Sequence, residues 1–353
     1  MANVPSYRAP IEFARTADGW DLALHRYAGT RRDWPPLVLS PGYGCNRHFF
    51  DSGDRYSLAR FLAGEGFDTW VLELRGHGLS EPAPGQRRRA WSFDDLVFHD
   101  APAALSHVAE RTGRRSVWIG HSLGGMVAYA ALGCMASLSE SVAGLVTLGT
   151  PVSFPSIESP AWRRIGQVFS ALPIGARLPQ RGALVAFWTL GGWSSAMAEY
   201  GMNRANLDRQ AFGHALPRLL ENLPGTVVRQ LAQWSLSGEC GSRDGAVDYR
   251  AGLQRITTPA LIIGGAADHL APPATVRSAY DRIGSSRKQY REFGTSQGDS
   301  ADYGHVDLIF GRHAPEEVFP VISRWIASEA AAQARDVGLA GRPNGGAAST
   351  PTG

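Results

Sequence analysis

The strongest constraint on the fold is a regular alternation of short apolar segments with longer helical ones. The apolar segments end at or near a Gly or Pro: Leu37–Ser40, Thr69–Leu74, Ser116–Gly120 and Gly144–Leu148. Helical patterns lie between them, at 56–64, 93–110 and 126–136. Short apolar runs bounded in this way are typical of buried parallel strands. The alternation therefore predicts βαβ units around a mostly parallel sheet, after an N-terminal hairpin at 11–27.

The alternation stops after Pro151 and resumes near residue 251. The intervening sequence is irregular and rich in Gly, Pro and aromatic residues. Strand patterns then return at Ala260–Gly264 and Gln289–Phe293, and 316–331 reads as a closing helix. We therefore predict an α/β core at 1–151 and 251–335, a cap inserted at 152–250, and a disordered tail at 336–353.

Composition excludes several classes of protein. Hydrophobic residues make up 44% of the chain, which is ordinary for a globular protein, and a net charge of +3 gives no indication of nucleic-acid binding. No apolar window of about 18 residues predicts a membrane span, and the N-terminus lacks the apolar stretch of a signal peptide. We therefore expect a cytoplasmic location, and the three widely spaced cysteines favour reduced thiols. No spacing of ligands or glycines indicates a metal, a nucleotide or another cofactor.

The candidate nucleophile is Ser122, in the pentapeptide Gly120-His-Ser-Leu-Gly124. The pattern G-x-S-x-G is weak evidence alone, but here it follows a predicted strand and precedes a helix of small residues. In that setting the glycines permit a sharp turn that exposes the serine hydroxyl, and the helix N-terminus favours a nearby negative charge. The alternative is that Ser122 only caps the helix.

A nucleophilic serine needs a histidine base and an acid that orients it, later in the chain and after strands. Asp268 and His305 occupy such positions. His313 is the second choice for the base, and Asp244 or Asp248 for the acid. We interpret His269 as loop structure and Asp307 as the start of a helix.

Acyl transfer also requires donors for the oxyanion of the tetrahedral intermediate. One candidate is the backbone N–H of Leu123, the residue after the nucleophile. The other is the backbone N–H of Tyr43, in the loop Ser40-Pro-Gly-Tyr-Gly44 that follows a predicted strand. A plain glycine-rich turn is the alternative interpretation of that loop.

With these residues in this order, the chain resembles the α/β-hydrolases that carry an inserted cap. The turn Arg75-Gly-His-Gly-Leu-Ser80 is also similar to a loop of that family. The resemblance implies a mostly parallel eight-stranded sheet flanked by helices, with a mainly helical cap. The segments Thr16–Arg26 and Gly304–Gly311 further resemble the acid-lipase and polyhydroxyalkanoate-enzyme branches, although Pro41 stands where many esterases and lipases have His.

These observations predict a serine hydrolase for carboxylic esters with an apolar acyl or alcohol part. Acyl transfer to another acceptor, or cofactor-free perhydrolysis, would use the same three side chains, and a ligand-binding receptor of this fold is a third interpretation. If the cap covers the site, its aromatic residues, Trp188 and Trp193 among them, would line the acyl pocket; the alternative is that they form a small core within the cap itself. The expected partner is a small ester, and the sequence leaves the oligomeric state open.

Overall fold

The computed structural model describes residues 10–53, 55–86, 90–153, 160–173, 177–195 and 198–340. Within them the main sheet has one continuous path of eight strands. These are β1 Ile11–Arg15, β2 Trp20–Tyr27, β3 Leu37–Ser40, β4 Thr69–Leu72, β5 Ser116–His121, β6 Val142–Leu148, β7 Ala260–Gly265 and β8 Lys288–Phe293.

The strands follow the order β1-β2-β4-β3-β5-β6-β7-β8. The first two form the predicted antiparallel hairpin, β2 pairs antiparallel with β4, and every later pair on the path is parallel. A short strand, Glu81–Pro82, adds a ninth member beside β2. The predicted mostly parallel sheet is confirmed, and its centre, β3, β5 and β6, carries the elbow of Ser122.

Successive side chains of a strand point to opposite faces, so both faces of this sheet carry apolar side chains that pack against helices. Val38 of β3 joins the apolar core on one face, whereas Leu37 and Leu39 join the core on the other. The helices are α1 Leu58–Gly64, α2 Phe93–Asp95, α3 Ala101–Thr112, α4 Leu123–Cys134, α5 Ala136–Ser141, α6 Pro160–Ser170, α7 Gln180–Thr189, α8 Arg209–Leu219, α9 Gly225–Ser237, α10 Tyr249–Gly252, α11 Pro273–Arg282, α12 Asp307–Phe310 and α13 Ala314–Ala340.

Three helices differ from the sequence prediction. The helix expected over 126–136 begins earlier, at Leu123, and ends at Cys134, because the extended backbone of Met135 separates α4 from α5. The helix expected over 93–110 is interrupted by a π-helical turn, Leu96–Asp100, between α2 and α3. The closing helix α13 continues to Ala340 instead of ending near 331, because its Ala-rich sequence favours helix. The first residues of the predicted disordered tail, up to 340, are therefore helical; residues 341–353 lie outside the described residues.

The region between β6 and β7 carries α6 to α10 and no strand of the main sheet among its described residues. The short strands Arg177–Leu178 and Leu223–Pro224 pair with each other. The prediction that residues 152–250 form a separate cap remains a prediction. Among the described residues, no helix is both long and apolar enough to cross a bilayer.

Candidate active site

Ser122 lies at the tight turn between β5 and α4. Its backbone has φ 51° and ψ −117°, and among the described residues it is the one non-glycine residue with positive φ. Its N–H donates to the carbonyl of Leu148 on β6 at 2.9 Å, which fixes the turn to the neighbouring strand. Such a conformation costs free energy and persists only where the surrounding structure enforces it. The half-buried serine faces a cavity at the carboxyl end of the sheet.

The flanking glycines allow this turn because neighbouring backbone comes too close for a side chain. A Cβ on Gly124 would collide with the carbonyl of Ser40 on β3, and a Cβ on Gly120 would lie 2.5 Å from the amide nitrogen of Gly125. The G-x-S-x-G spacing is therefore required by close contact between the helix start, the strand before it and β3.

Asp268 and His305 form a buried hydrogen-bonded pair. The Nδ1 of His305 lies 2.7 Å from Oδ2 of Asp268. The other carboxylate oxygen accepts from the backbone N–H groups of Leu270 at 2.9 Å and Ala271 at 2.8 Å, so the carboxylate cannot rotate freely. With Nδ1–H donated to Asp268, Nε2 of His305 is left as the acceptor of a proton. His305 lines the same cavity as Ser122.

Gly149, directly after β6, leaves the space that the pair occupies. Its φ is +52°, and a Cβ there would lie 3.1 Å from both Oδ2 of Asp268 and Nδ1 of His305. A side chain at position 149 would therefore push the histidine and the carboxylate apart.

The loop after β3 lies against the elbow, as an oxyanion-binding loop must. A Cβ on Gly42 would be 3.2 Å from Cβ of Ser122. Tyr43 and Leu123 line the cavity beside the serine, and Leu123 is the first residue of α4, where helix amides have no acceptor within the helix. Burial raises the pKa of the Tyr43 phenol, which stays protonated.

One close neighbour of this group, His121, was not predicted from the sequence. Its Nε2 lies 3.0 Å from the backbone carbonyl of His305, and the two rings are 4.6 Å apart. Burial lowers the pKa of His121 well below its usual value, so the ring is neutral and Nε2–H can donate. Its position next to Ser122 in the pentapeptide was the one signal in the sequence that could have indicated a role. The contact of His121 with His305 could not be predicted, because the two residues are far apart in the chain.

The alternative bases do not reach this group. His269 is exposed, and its ring lies 6.2 Å from that of Tyr200. His313 is also exposed, in the turn that leads into α13. Neither side chain lines the cavity of Ser122.

The alternative acids have other structural roles. Asp244 is exposed and accepts from the hydroxyl of Ser242 at 2.6 Å. Asp248 precedes α10 and accepts from the N–H of Ala251 at 3.0 Å. Asp307 begins α12 as the sequence analysis expected. Of the candidate acids, only Asp268 is bonded to His305 among the described residues.

The cavity over Ser122 has a volume of about 490 Å³ and a largely apolar lining. Trp188 and Phe212 from the region between β6 and β7 meet edge-on in its wall, with ring centroids 5.1 Å apart. The Trp193 side chain lies outside the described residues. Other residues of this region that line the cavity include Leu184, Phe187, Tyr200, Gly201, Met202 and Leu216.

One group of possible metal ligands occurs elsewhere among the described residues. Oxygen and nitrogen atoms of Asp18, Asp95 and His99 lie within 4.8 Å of one another. The Arg75 guanidinium already binds Asp18 at 2.7 Å and lies 3.8 Å from Asp95. A protein cation thus occupies the position next to these carboxylates, and the group does not line the cavity of Ser122.

Comparison with known proteins identifies the family. The chain belongs to the α/β-hydrolase family, since the model of the alpha/beta hydrolase fold matches residues 35–310. Human Lipase member K is 24% identical over 86% of this chain and 84% of its own. The rat lysosomal acid lipase/cholesteryl ester hydrolase is 26% identical, over 43% of this chain and 42% of its own.

A solved structure has the same fold. A thermophilic esterase from Thermogutta terrifontis aligns with a TM-score of 0.61 and 19% identity, over 91% of this chain and 99% of that one. The lipases among the relatives agree with the predicted resemblance to the acid-lipase branch. Some of them align over less than half of their own length. The family and the fold are established on these grounds.

Proposed function

We propose that the protein is a serine hydrolase that cleaves carboxylic esters through an acyl-enzyme on Ser122. The observation that carries the proposal is geometric. A serine on a strained elbow and a histidine bonded to a buried carboxylate face one apolar cavity. The lipases among the relatives support the same class of reaction.

In the proposed mechanism, Oγ of Ser122 attacks the ester carbonyl carbon while its proton passes to Nε2 of His305. Asp268 holds the imidazole and stabilises its charged form. The backbone N–H groups of Tyr43 and Leu123 bind the oxyanion. When the intermediate collapses, the C–O bond to the alcohol breaks and the alcohol takes the proton from His305. Water then attacks the acyl-enzyme, again through His305, which releases the acid and restores the serine.

The lining of the cavity supports an apolar acyl or alcohol part in the substrate. Aliphatic and aromatic side chains surround Ser122, and an alkyl chain gains about 0.8 kcal/mol for each methylene it buries there. The cavity volume of about 490 Å³ lies within the usual range for small-molecule sites. We therefore propose that the enzyme prefers esters with alkyl chains over acetate.

The test is hydrolysis of p-nitrophenyl esters from acetate to palmitate by the wild-type protein and by Ser122→Ala. We expect the variant to fold and to lose about 10⁴–10⁶ in kcat. Ser328→Ala, in the closing helix, is the matched control and should keep full activity. A fluorophosphonate should add once, to Ser122, as read by mass spectrometry of peptides. Near wild-type turnover by folded Ser122→Ala would contradict the proposal.

The same ester assay, repeated with an added alcohol, thiol or peroxide, separates the alternative functions. A receptor that retains the fold would bind ester without releasing product over many turnovers. An acyltransferase would give more acyl product with an added alcohol or thiol than acid with water, and a perhydrolase would respond to peroxide. We propose the cytoplasm as its location, which agrees with the free thiols of Cys45, Cys134 and Cys240. Fractionation of cells that produce the protein tests this.

A further inference from the structure

The loop that carries His305 is hydrogen-bonded along its length to one segment of the region between β6 and β7. This segment, residues 201–208, supplies a wall of the cavity through Gly201 and Met202. The bonds join Val306 N to Gly201 O at 3.0 Å, Asn203 Nδ2 to Asp302 O at 2.7 Å, Asp208 N to Phe310 O at 2.9 Å, and Arg312 N to Asn206 O at 2.8 Å.

Asp307 is the side chain at the centre of this junction. It is fully buried, and its Oδ2 accepts from the backbone N–H of Asn203 at 3.0 Å and of Gly304 at 3.1 Å. One donor precedes His305 in the chain, and the other follows Met202 of the cavity wall. A single oxygen atom therefore joins the backbone beside the base to the backbone beside the substrate pocket.

This bonding differs from that of an ordinary helix-start aspartate. Such a residue accepts from the first amides of its own helix. Asp307 instead accepts from Gly304, three residues earlier, and from Asn203 of a separate segment; the Asn206 side chain also bonds its carboxyl group, and burial raises the pKa of that group to about 7. Burying a carboxylate costs free energy unless hydrogen bonds compensate for the lost solvation. The bonds to Asn203 and Gly304 supply that compensation, and both lie outside α12.

We propose that Asp307 is a positioning residue, which holds the turn of His305 and the Met202 wall of the cavity in one fixed arrangement. The proposal rests on the proposed function, because it assigns His305 as the base. Without an acceptor at position 307, the buried N–H of Gly304 and the N–H of half-buried Asn203 lose their partner, and the turn and the wall can shift separately.

The test compares Asp307→Ala with Asp307→Asn on p-nitrophenyl acetate and decanoate. Asn retains an oxygen that can accept both N–H groups, whereas Ala removes it. We expect Asp307→Ala to lower kcat at least tenfold for both esters, and to raise KM at least threefold for decanoate only. Asp307→Asn should stay within about threefold of wild type in both constants.

Asp51→Ala is the control for a general loss of stability. Asp51 is also buried, and it accepts from Tyr27, Ser57 and Arg60 away from the cavity of Ser122. This variant should lower Tm and leave kcat and KM unchanged at a temperature below unfolding. If Asp51→Ala changes kcat as much as Asp307→Ala does, the effect is general instability and the proposal fails.

Asp307→Ser is the second variant should Asp307→Ala not fold, because its shorter side chain cannot reach the N–H groups of both Asn203 and Gly304. The expected result is at least a threefold rise in KM for decanoate and at least a fivefold fall in kcat for both esters. Wild-type constants in folded Asp307→Ser contradict the proposal.

Two further results would overturn the positioning role. They are wild-type constants in folded Asp307→Ala, and an Asp307→Asn variant as impaired as Asp307→Ala. Ser122→Ala in the same assay separates the two proposals. An inactive Ser122→Ala beside a fully active Asp307→Ala would reject only the role of Asp307.

Discussion

The floor and the roof of the cavity are built differently. The floor consists of β5, β6 and β7 with the turns that follow them, and every residue of the three strands is buried. The roof includes α7, in which no described residue is buried although most are apolar. Floor side chains are shielded from solvent, whereas every α7 side chain is partly or fully exposed. The difference suggests that reaction chemistry depends on the floor and choice of substrate on the roof.

The largest effect expected in the floor, after loss of Ser122 itself, follows from Asp268→Asn. The imidazole of His305 would lose its orienting acceptor and the charge that stabilises its protonated form, so kcat should fall by about 10⁴. Steady-state kinetics on a short ester measures this. Asp244→Asn and Asp248→Asn are the controls, and a crippling loss in either, with a nearly silent Asp268→Asn, would move the acid to the border of the inserted region.

A smaller loss is expected from Gly149→Ala, which places a methyl group 3.1 Å from Oδ2 of Asp268 and Nδ1 of His305. We expect kcat to fall about tenfold or more, since small misplacement of reacting groups can cost up to about 100-fold. Gly113→Ala is the matched control. It has a similar φ of +68° but no neighbour within 4 Å. Both variants should lose stability, and equal kcat values would refute the steric argument.

Trp188→Ala tests the roof. Loss of the indole that lines the cavity should raise KM for decanoate about tenfold while KM for acetate changes less than twofold, because only the long chain reaches this wall. Leu190→Ala lies just beyond the same helix and is 85% exposed, so it should have no effect. If both esters respond to Trp188→Ala alike, the tryptophan stabilises the roof instead of binding the chain.

The smallest effect concerns the pH dependence of stability in the floor. Burial keeps His121 neutral in the folded protein, whereas in the unfolded chain it takes up a proton below about pH 6.5. The unfolded state then binds more protons, so acid destabilises the wild type relative to His121→Gln, by at most about 1.4 kcal/mol per pH unit. Urea unfolding at pH 5, 6 and 7 measures the difference. A gap that does not change with pH would show that His121 titrates alike in both states.

The contrast between floor and roof also explains which parts of the structure could be predicted from the sequence. The bounds of β3 were predicted correctly, since a buried parallel strand is a short apolar run with a stop signal at its end. Ser122, Asp268 and His305 could be proposed as the catalytic residues because each follows a strand, and the end of a strand can be predicted from the local sequence. The extension of α13 to Ala340 was missed because helix propensity outweighed a composition typical of disorder.

The roof could not be derived in this way. Its aromatic residues are visible in the sequence, but the direction of each ring depends on how α7 and α8 meet, as Trp188 and Phe212 do. The bonds of Asp307 to Asn203 and of His121 to His305 likewise join residues that only tertiary structure brings together. Local sequence carries no signal for such contacts.

The backbone of Ser122 has a consequence for any effort to make this protein more heat-resistant. A φ of 51° suits glycine better than serine, so the elbow holds a residue that costs the fold about 1–3 kcal/mol. Ser122→Gly would relieve that cost and delete the hydroxyl at once. A library screened only for survival at high temperature would therefore enrich glycine at this position and collect inactive proteins. Thermostability and turnover have to be selected together here.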